Sequence, residues 1–189
     1  MEGTATTVQR RKIHPHKFAL WIAIASIVMM FAGLTSAYIV RQAQGNWRDY
    51  PLPSIFWVST IAILVSSLTM HLGVRAFKQR RMPMFRMLVT ATLVLGILFA
   101  LFQYMGFSQL YANNIRVDGN PSESFLFIIA GLHLLHIAGG IIALLIVFFR
   151  AFRTRVKIYN ATGLEIMATY WHFVDVLWIY LFVFFLANQ

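Results

Sequence analysis

His172 and Asp175 stand three residues apart in the last apolar stretch of the chain, within Trp171-His172-Phe173-Val174-Asp175. On a helix that spacing puts both groups on one face, one turn apart. An imidazole beside a carboxylate can pass a proton, ligate a metal or lock helices together through a buried hydrogen bond. In lipid such a pair is costly, so it turns toward a bundle interior and marks a site or an interface.

A second pair, His133 and His136, precedes it. With Gly140, Ala143 and Arg150 these histidines recur at three- and four-residue steps and their multiples, which defines one helical face. Glu165, Ala168, His172, Asp175 and Ile179 define another. Two neighbouring helices joined by a short loop pack antiparallel, so these faces are expected to meet, with Glu165 near Arg150 and Arg153 as an exposed and weak ion pair. Haem ligation by two histidines requires equal depth, and helical rise places His172 about 6 Å and His136 about 20 Å inside the same edge. Those two cannot share one haem. His71 is the embedded histidine nearest His172 in depth. His133 and His136 lack a third ligand at their level and make an incomplete metal site. The preferred reading is of packing histidines, with His172 and Asp175 as a buried hydrogen-bonded pair.

The elements that must position these groups are membrane helices. Hydrophobic residues make up 59% of the 189 positions and charged residues 12%, a balance foreign to water-soluble domains. Five apolar runs, at about 18–40, 54–77, 84–106, 124–149 and 168–187, are each long enough to cross a hydrocarbon core of roughly 30 Å. The expected fold is therefore an all-α integral membrane protein, a bundle of five transmembrane helices forming one membrane domain over 1–189. The connecting segments are too short for a soluble catalytic module.

The net charge of +10 follows topology rather than a nucleic-acid face. Arg10, Arg11, Lys12 and Lys17 precede the first run; Arg75, Lys78, Arg80, Arg81 and Arg86 surround the second loop; Arg150, Arg153, Arg155 and Lys157 surround the fourth. Arg41, Arg48 and Arg116 alone fall on the other side. The positive-inside rule then places the N-terminus in the cytoplasm and the C-terminus outside. Arg80, Arg81, Arg150 and Arg153 are candidate lipid contacts, although a topology signal explains them without specific binding. The first run is longer than a signal-peptide core, so cleavage is not expected.

With no cysteine the chain builds no disulfide, iron-sulfur cluster, thiolate-ligated copper or c-type haem attachment by itself. It has no phosphate-binding glycine loop and no internal repeat of the transporter kind. Asn160-Ala161-Thr162 matches a glycosylation sequon on the inner side, where it is read as chance. Gly33 with Ala37, Gly96 with Ala100 and Gly139 with Ala143 have the spacing for close helix approach. Ser66, Ser67 and Thr69 are expected to bond back to their own helix. The five tryptophans read mostly as interfacial anchors, and Gln103 is expected to face protein.

Tyr170-Trp171-His172-Phe173-Val174-Asp175-Val176-Leu177-Trp178 resembles the C-terminal signature of subunit III of haem-copper respiratory oxidases. Gly131-Leu132-His133-Leu134-Leu135-His136 followed by Gly139-Gly140 resembles that family's preceding helix, and Glu165 stands at its acidic position. Phe31-Ala32-Gly33-Leu34 with Ala37-Tyr38, and Leu95-Gly96 with Phe99 and Gln103, are further matches. The resemblance is to the five-helix bacterial form. One departure is Ile27, which stands where the family often carries a buried glutamate.

The resemblance implies a non-catalytic subunit of a bacterial inner-membrane terminal oxidase, with cytochrome c as donor to the complex. Haem and copper would belong to partner subunits I and II, subunit I being the main contact. This chain would hold no cofactor, bind phospholipid, stabilise the catalytic subunit and support proton uptake. His133, His136, Glu165, His172 and Asp175 would be buried polar or interface groups, with no catalytic or metal role. Alternatives are the corresponding subunit of a quinol oxidase or nitric oxide reductase, a b-type cytochrome, or an independent proton channel along these side chains.

Overall fold

In the computed structural model, which describes residues 15–48, 50–153 and 161–188, all five apolar runs are helices. They are α1 (Pro15–Gln42), α2 (Ile55–Lys78), α3 (Met82–Ala112), α4 (Pro121–Phe152) and α5 (Ala161–Ala187). All five are long and apolar enough to cross a membrane. Helices solve the backbone problem that lipid poses, because each N–H and C=O finds its partner inside the segment. Of the residues read above for topology and glycosylation, Arg10, Arg11, Lys12, Arg155, Lys157 and Asn160 lie outside the described residues.

Helix ends follow local chemistry. Asn120 accepts a hydrogen bond from the Ser122 amide at 3.1 Å and Pro121 fills the first turn of α4, where a missing N–H costs nothing. At the end of α2, Arg80 takes φ +58° and the Arg81 amide reaches back to the Ala76 carbonyl at 2.9 Å. Asn114 repeats the device after α3, with φ +61° and an Ile115 amide bond to the Leu110 carbonyl at 3.1 Å. In both places a left-handed residue caps the last carbonyls. α5 begins at Ala161, about two turns before the expected 168, because the segment that carries Glu165 continues the helix ahead of the purely apolar run.

Helices α2, α3, α4 and α5 form a ring in which each packs against its two neighbours, and α2 with α3 make the most extensive pair. α1 lies outside the ring along the α4–α5 seam and its backbone approaches neither α2 nor α3. Tyr38 is the main anchor of α1. It is buried between Trp47, Phe125 and Phe184, and its hydroxyl donates to the Asn188 carbonyl at 3.1 Å.

Trp171 occupies the centre of the ring. Its indole N–H donates to Ser66 Oγ on α2 at 3.0 Å. Its six-membered ring fills the space beside Gly96 of α3 and Gly140 of α4, where an added Cβ would stand 2.8 Å and 3.1 Å from it. Two turns along α5, Trp178 donates to Thr60 Oγ1 at 3.0 Å. Both indoles are buried, which corrects the expectation of anchors for this pair. Trp21 and Trp57 are the exposed ones. An indole goes inside when a neighbouring helix offers an acceptor for its N–H, as α2 does twice.

Candidate functional site

The polar side chains separate into a buried interior group and one group at each end of the bundle. In the interior, His133 is wholly buried. Its ring stacks on Trp178 with centroids 5.3 Å apart and meets Phe31 and Phe99 edge-on. Neither of its ring nitrogens has a hydrogen-bond partner among the described residues. His136 is half-buried; its Nδ1 lies 2.7 Å from the Leu132 carbonyl, while its own carbonyl accepts from the Tyr170 hydroxyl at 3.0 Å. One turn of α4 thus separates a histidine held in an aromatic cage from one tied to backbone.

Gln103 is buried too, and its Nε2 donates to Ser59 Oγ at 2.9 Å, which names α2 as the neighbour that sequence left open. Ser66 Oγ leans across to the Thr92 carbonyl at 3.4 Å, and the Thr69 and Thr92 hydroxyls meet at 2.9 Å. Thr69 alone of the three expected back-bonders returns a bond to its own helix, to the Ser66 carbonyl at 2.8 Å. The signal for this seam was present in the spacing. Ser59 and Thr60 stand seven residues before Ser66 and Ser67, so four hydroxyls line one face of α2.

Asp175 is 1% exposed and neither carboxylate oxygen has a hydrogen-bond partner among the described residues. The expected His172–Asp175 bond is absent. His172 Nδ1 instead meets Ser67 Oγ at 2.6 Å, since a hydroxyl on the facing helix is better placed than a carboxylate on its own helix. Ser67 is also the polar neighbour of Asp175, but its hydroxyl is engaged with the imidazole.

At the lysine-rich end, Glu165 bridges two helices. Its Oε2 lies 2.9 Å from Lys17 Nζ of α1 and its Oε1 lies 2.8 Å from Lys78 Nζ of α2. This replaces the expected pairing with Arg150 and Arg153. α5 turns Glu165 toward α1 and α2, while both arginines are exposed near the end of α4. Arg86 closes that end of α4 by donating to the Ala151 carbonyl at 2.8 Å, with its guanidinium over the Phe152 ring. Behind the Glu165 bridge is a cavity of about 370 Å³ with walls from α1, α2 and α5, reaching His71 and His172. Their ring centroids are 6.2 Å apart and tilted by 53°. Among the described residues no group of three or more His, Asp or Glu side chains is arranged to hold a metal ion.

The opposite end is stitched by a loop network. Asn120 Nδ2 donates to the Asn46 carbonyl and Ser122 Oγ to the Arg48 carbonyl, each at 2.9 Å. Glu123 is buried, accepts from the Arg116 amide at 2.9 Å and lies 3.5 Å from Arg48. Burial first, then the neighbouring Tyr38 and Glu123, holds the Tyr50 hydroxyl above its ordinary pKa. Sequence reading passed over Glu123 because a glutamate in a first helical turn is ordinary capping chemistry.

Residues 50–187 match the family model described as cytochrome c oxidase subunit III. The chain is 34% identical to a probable cytochrome c oxidase subunit 3 of Nocardia farcinica, over 95% of this chain and 94% of that protein. It is 28% identical to the probable cytochrome c oxidase subunit 3 of Mycobacterium tuberculosis over the same shares. It is 29% identical to the cytochrome bo(3) ubiquinol oxidase subunit 3 of Buchnera aphidicola, over 90% of this chain and 85% of that one.

Proposed function

The chain belongs to the cytochrome c oxidase subunit III family, and from that premise we propose that it serves a bacterial cytochrome c oxidase as its non-catalytic membrane scaffold. It is a multi-pass membrane protein and a subunit III of the haem-copper oxidases. In this reading haem and copper reside in partner subunits I and II, with subunit I the main contact. The chain stabilises that subunit and supports its proton uptake, while Arg80, Arg81, Arg150 and Arg153 meet phospholipid. The observation that carries the reading is the family match over 50–187, whose last helix supplies both buried indoles of the ring.

The interior chemistry agrees with this role. A buried carboxylate and a buried imidazole that have no hydrogen-bond partner among the described residues are poor links for proton transfer, which needs continuous hydrogen-bonded partners. Trp171, Trp178, Gly96 and Gly140 fix helix positions. A scaffold needs that rigidity.

The test is isolation of the tagged chain in mild detergent, with mass spectrometry of what accompanies it and oxygen uptake by the isolate. Haem- and copper-bearing chains that oxidise reduced cytochrome c are the expected result. Uptake sustained by a quinol alone would move the chain to the class of its bo(3) relative. Recovery without haem-bearing chains would overturn the reading.

The orientation is open to an equally direct test. The lysine-rich end belongs in the cytoplasm by the positive-inside rule, and the chain has no native cysteine to interfere. In intact cells an impermeant maleimide should label Asn114→Cys and spare Gln79→Cys. The reverse pattern would invert the topology.

A further inference from the structure

We propose that His71 of α2 and His172 of α5 form a two-imidazole site for a zinc-class divalent cation, with water from the cavity at the lysine-rich end filling its remaining positions. The site gives His172 a metal role that the family resemblance does not imply, and it ties α2 to α5 whichever oxidase the chain serves.

Ring geometry is the first argument. The two imidazole centres are 6.2 Å apart with planes tilted by 53°, which is neither a stack nor a hydrogen-bonded pair. A zinc ion about 2.0–2.1 Å from a ring nitrogen lies about 3.2 Å from that ring's centre, so one ion joins imidazoles whose centres are up to about 6.4 Å apart. The observed pair falls inside that limit. A tetrahedral angle at the metal brings the centres to about 5.2 Å, and His71, exposed on its helix, closes the difference by side-chain rotation.

The second argument is the set of donors left unused. His172 Nδ1 lies 2.6 Å from Ser67 Oγ, which leaves Nε2 as its free nitrogen. A metal-bound Nε2 requires the proton on Nδ1, and that N–H then donates to Ser67. Ser67 is thereby free to turn its own hydroxyl proton toward Asp175, its other polar neighbour. The Asp175 carboxylate, buried and without a hydrogen-bond partner among the described residues, gains both a donor and a positive charge to balance. A carboxylate that orients a metal-bound imidazole through hydrogen bonds also raises its basicity. His71 hydrogen-bonds to no described residue either, and a cation uses the lone pair that the membrane would otherwise leave idle.

The cavity is the third argument. Both imidazoles line it together with Thr169, and its volume is about 370 Å³, ample for water ligands of about 30 Å³ each. His133 and His136 have no comparable opening, since one stacks on Trp178 and the other is tied to backbone. Nitrogen ligands select zinc and its neighbours over calcium or magnesium, which require oxygen. Lys17 and Lys78 are both held by Glu165, whose place in α5 is about 10 Å along the helix from His172. Their charge is partly neutralised and kept at the mouth.

The experiment uses the purified complex, freed of loosely held metal by a chelator and reconstituted in nanodiscs, with equilibrium dialysis against radioactive zinc. Zinc-edge X-ray absorption then counts the imidazoles bound at one equivalent of metal. The expected result is a site with two imidazoles and oxygen ligands. His71→Ala, at an exposed position that leaves the bundle intact, should lower its affinity about a hundredfold, and Ser67→Ala about tenfold. His136→Ala should leave it unchanged.

Zinc uptake indifferent to His71→Ala would overturn the proposal, as would a spectrum with fewer than two imidazoles, the mark of an adventitious ion only. Haem absorbance of the same sample reports separately on the scaffold reading, so failure of one is distinguishable from failure of the other.

Discussion

The ring of α2 to α5 and the flanking α1 are held by different physics. In the ring, indole N–H groups find hydroxyls across the helix interface and the glycines of α3 and α4 leave room for Trp171. α1 buries only 11% of its most apolar window. It is attached by Tyr38, by the Thr35–Tyr180 hydroxyl contact at 3.0 Å and by the Lys17–Glu165 pair. The family match covers residues 50–187, which contain all four ring helices, while the whole-chain relatives align across α1 as well. Close packing with satisfied polar groups fixes one arrangement. A helix held by a few anchors leaves its outer surface for lipid or a neighbour.

The largest effect is expected at the Trp171 slot. Gly96→Val places branched carbon where the indole already stands, and should cost about 1–3 kcal/mol or prevent folding; thermal unfolding of the detergent-solubilised chain measures it. Wild-type stability would mean that Trp171 has another rotamer available, and the slot would lose its central place. Next is Asp175→Leu, predicted to weaken retention of the chain in the purified complex more than it changes the haem spectrum of the partners. Asp175→Asn, which keeps shape and polarity, should be retained better; equal behaviour of the two would remove any role for polarity at that position.

Ser66→Ala tests the same slot more gently. It leaves the Trp171 N–H without its partner and should cost about 1 kcal/mol, visible as a lowered melting midpoint. Glu165→Gln tests the flank, where the carboxylate is 30% exposed. The loss should be within about 1 kcal/mol and should shrink as salt is added. A salt-independent loss larger than that of Ser66→Ala would mean that α1 is keyed as tightly as the ring, and the contrast would fail.

The five helices were legible because a chain in lipid announces its spans through length and hydropathy. The C-terminal signature pointed to the family for a related reason, since its residues are the ones the ring must place. Side-chain partners were less legible. The His172–Asp175 pairing followed from spacing on one helix, yet Ser67 on α2 was the better-placed partner. Charge and proximity in sequence suggested Arg150 and Arg153 for Glu165, but rotation of α5 decided in favour of Lys17 and Lys78. Helical periodicity says which residues share a face; it does not say which helix that face meets. Trp171 and Trp178 were misplaced for the same reason, because an indole is equally at home at a lipid boundary or beside a buried hydroxyl.

The central claim is that this subunit organises redox partners and performs no electron transfer itself. The direct measurement is a visible absorption spectrum of the tagged chain, taken first as the intact complex and again after the partner subunits are stripped away in harsher detergent. The account predicts a haem Soret band in the first spectrum and none in the second, with the stripped chain still helical by circular dichroism. A Soret band that stays with the folded, isolated chain would contradict it.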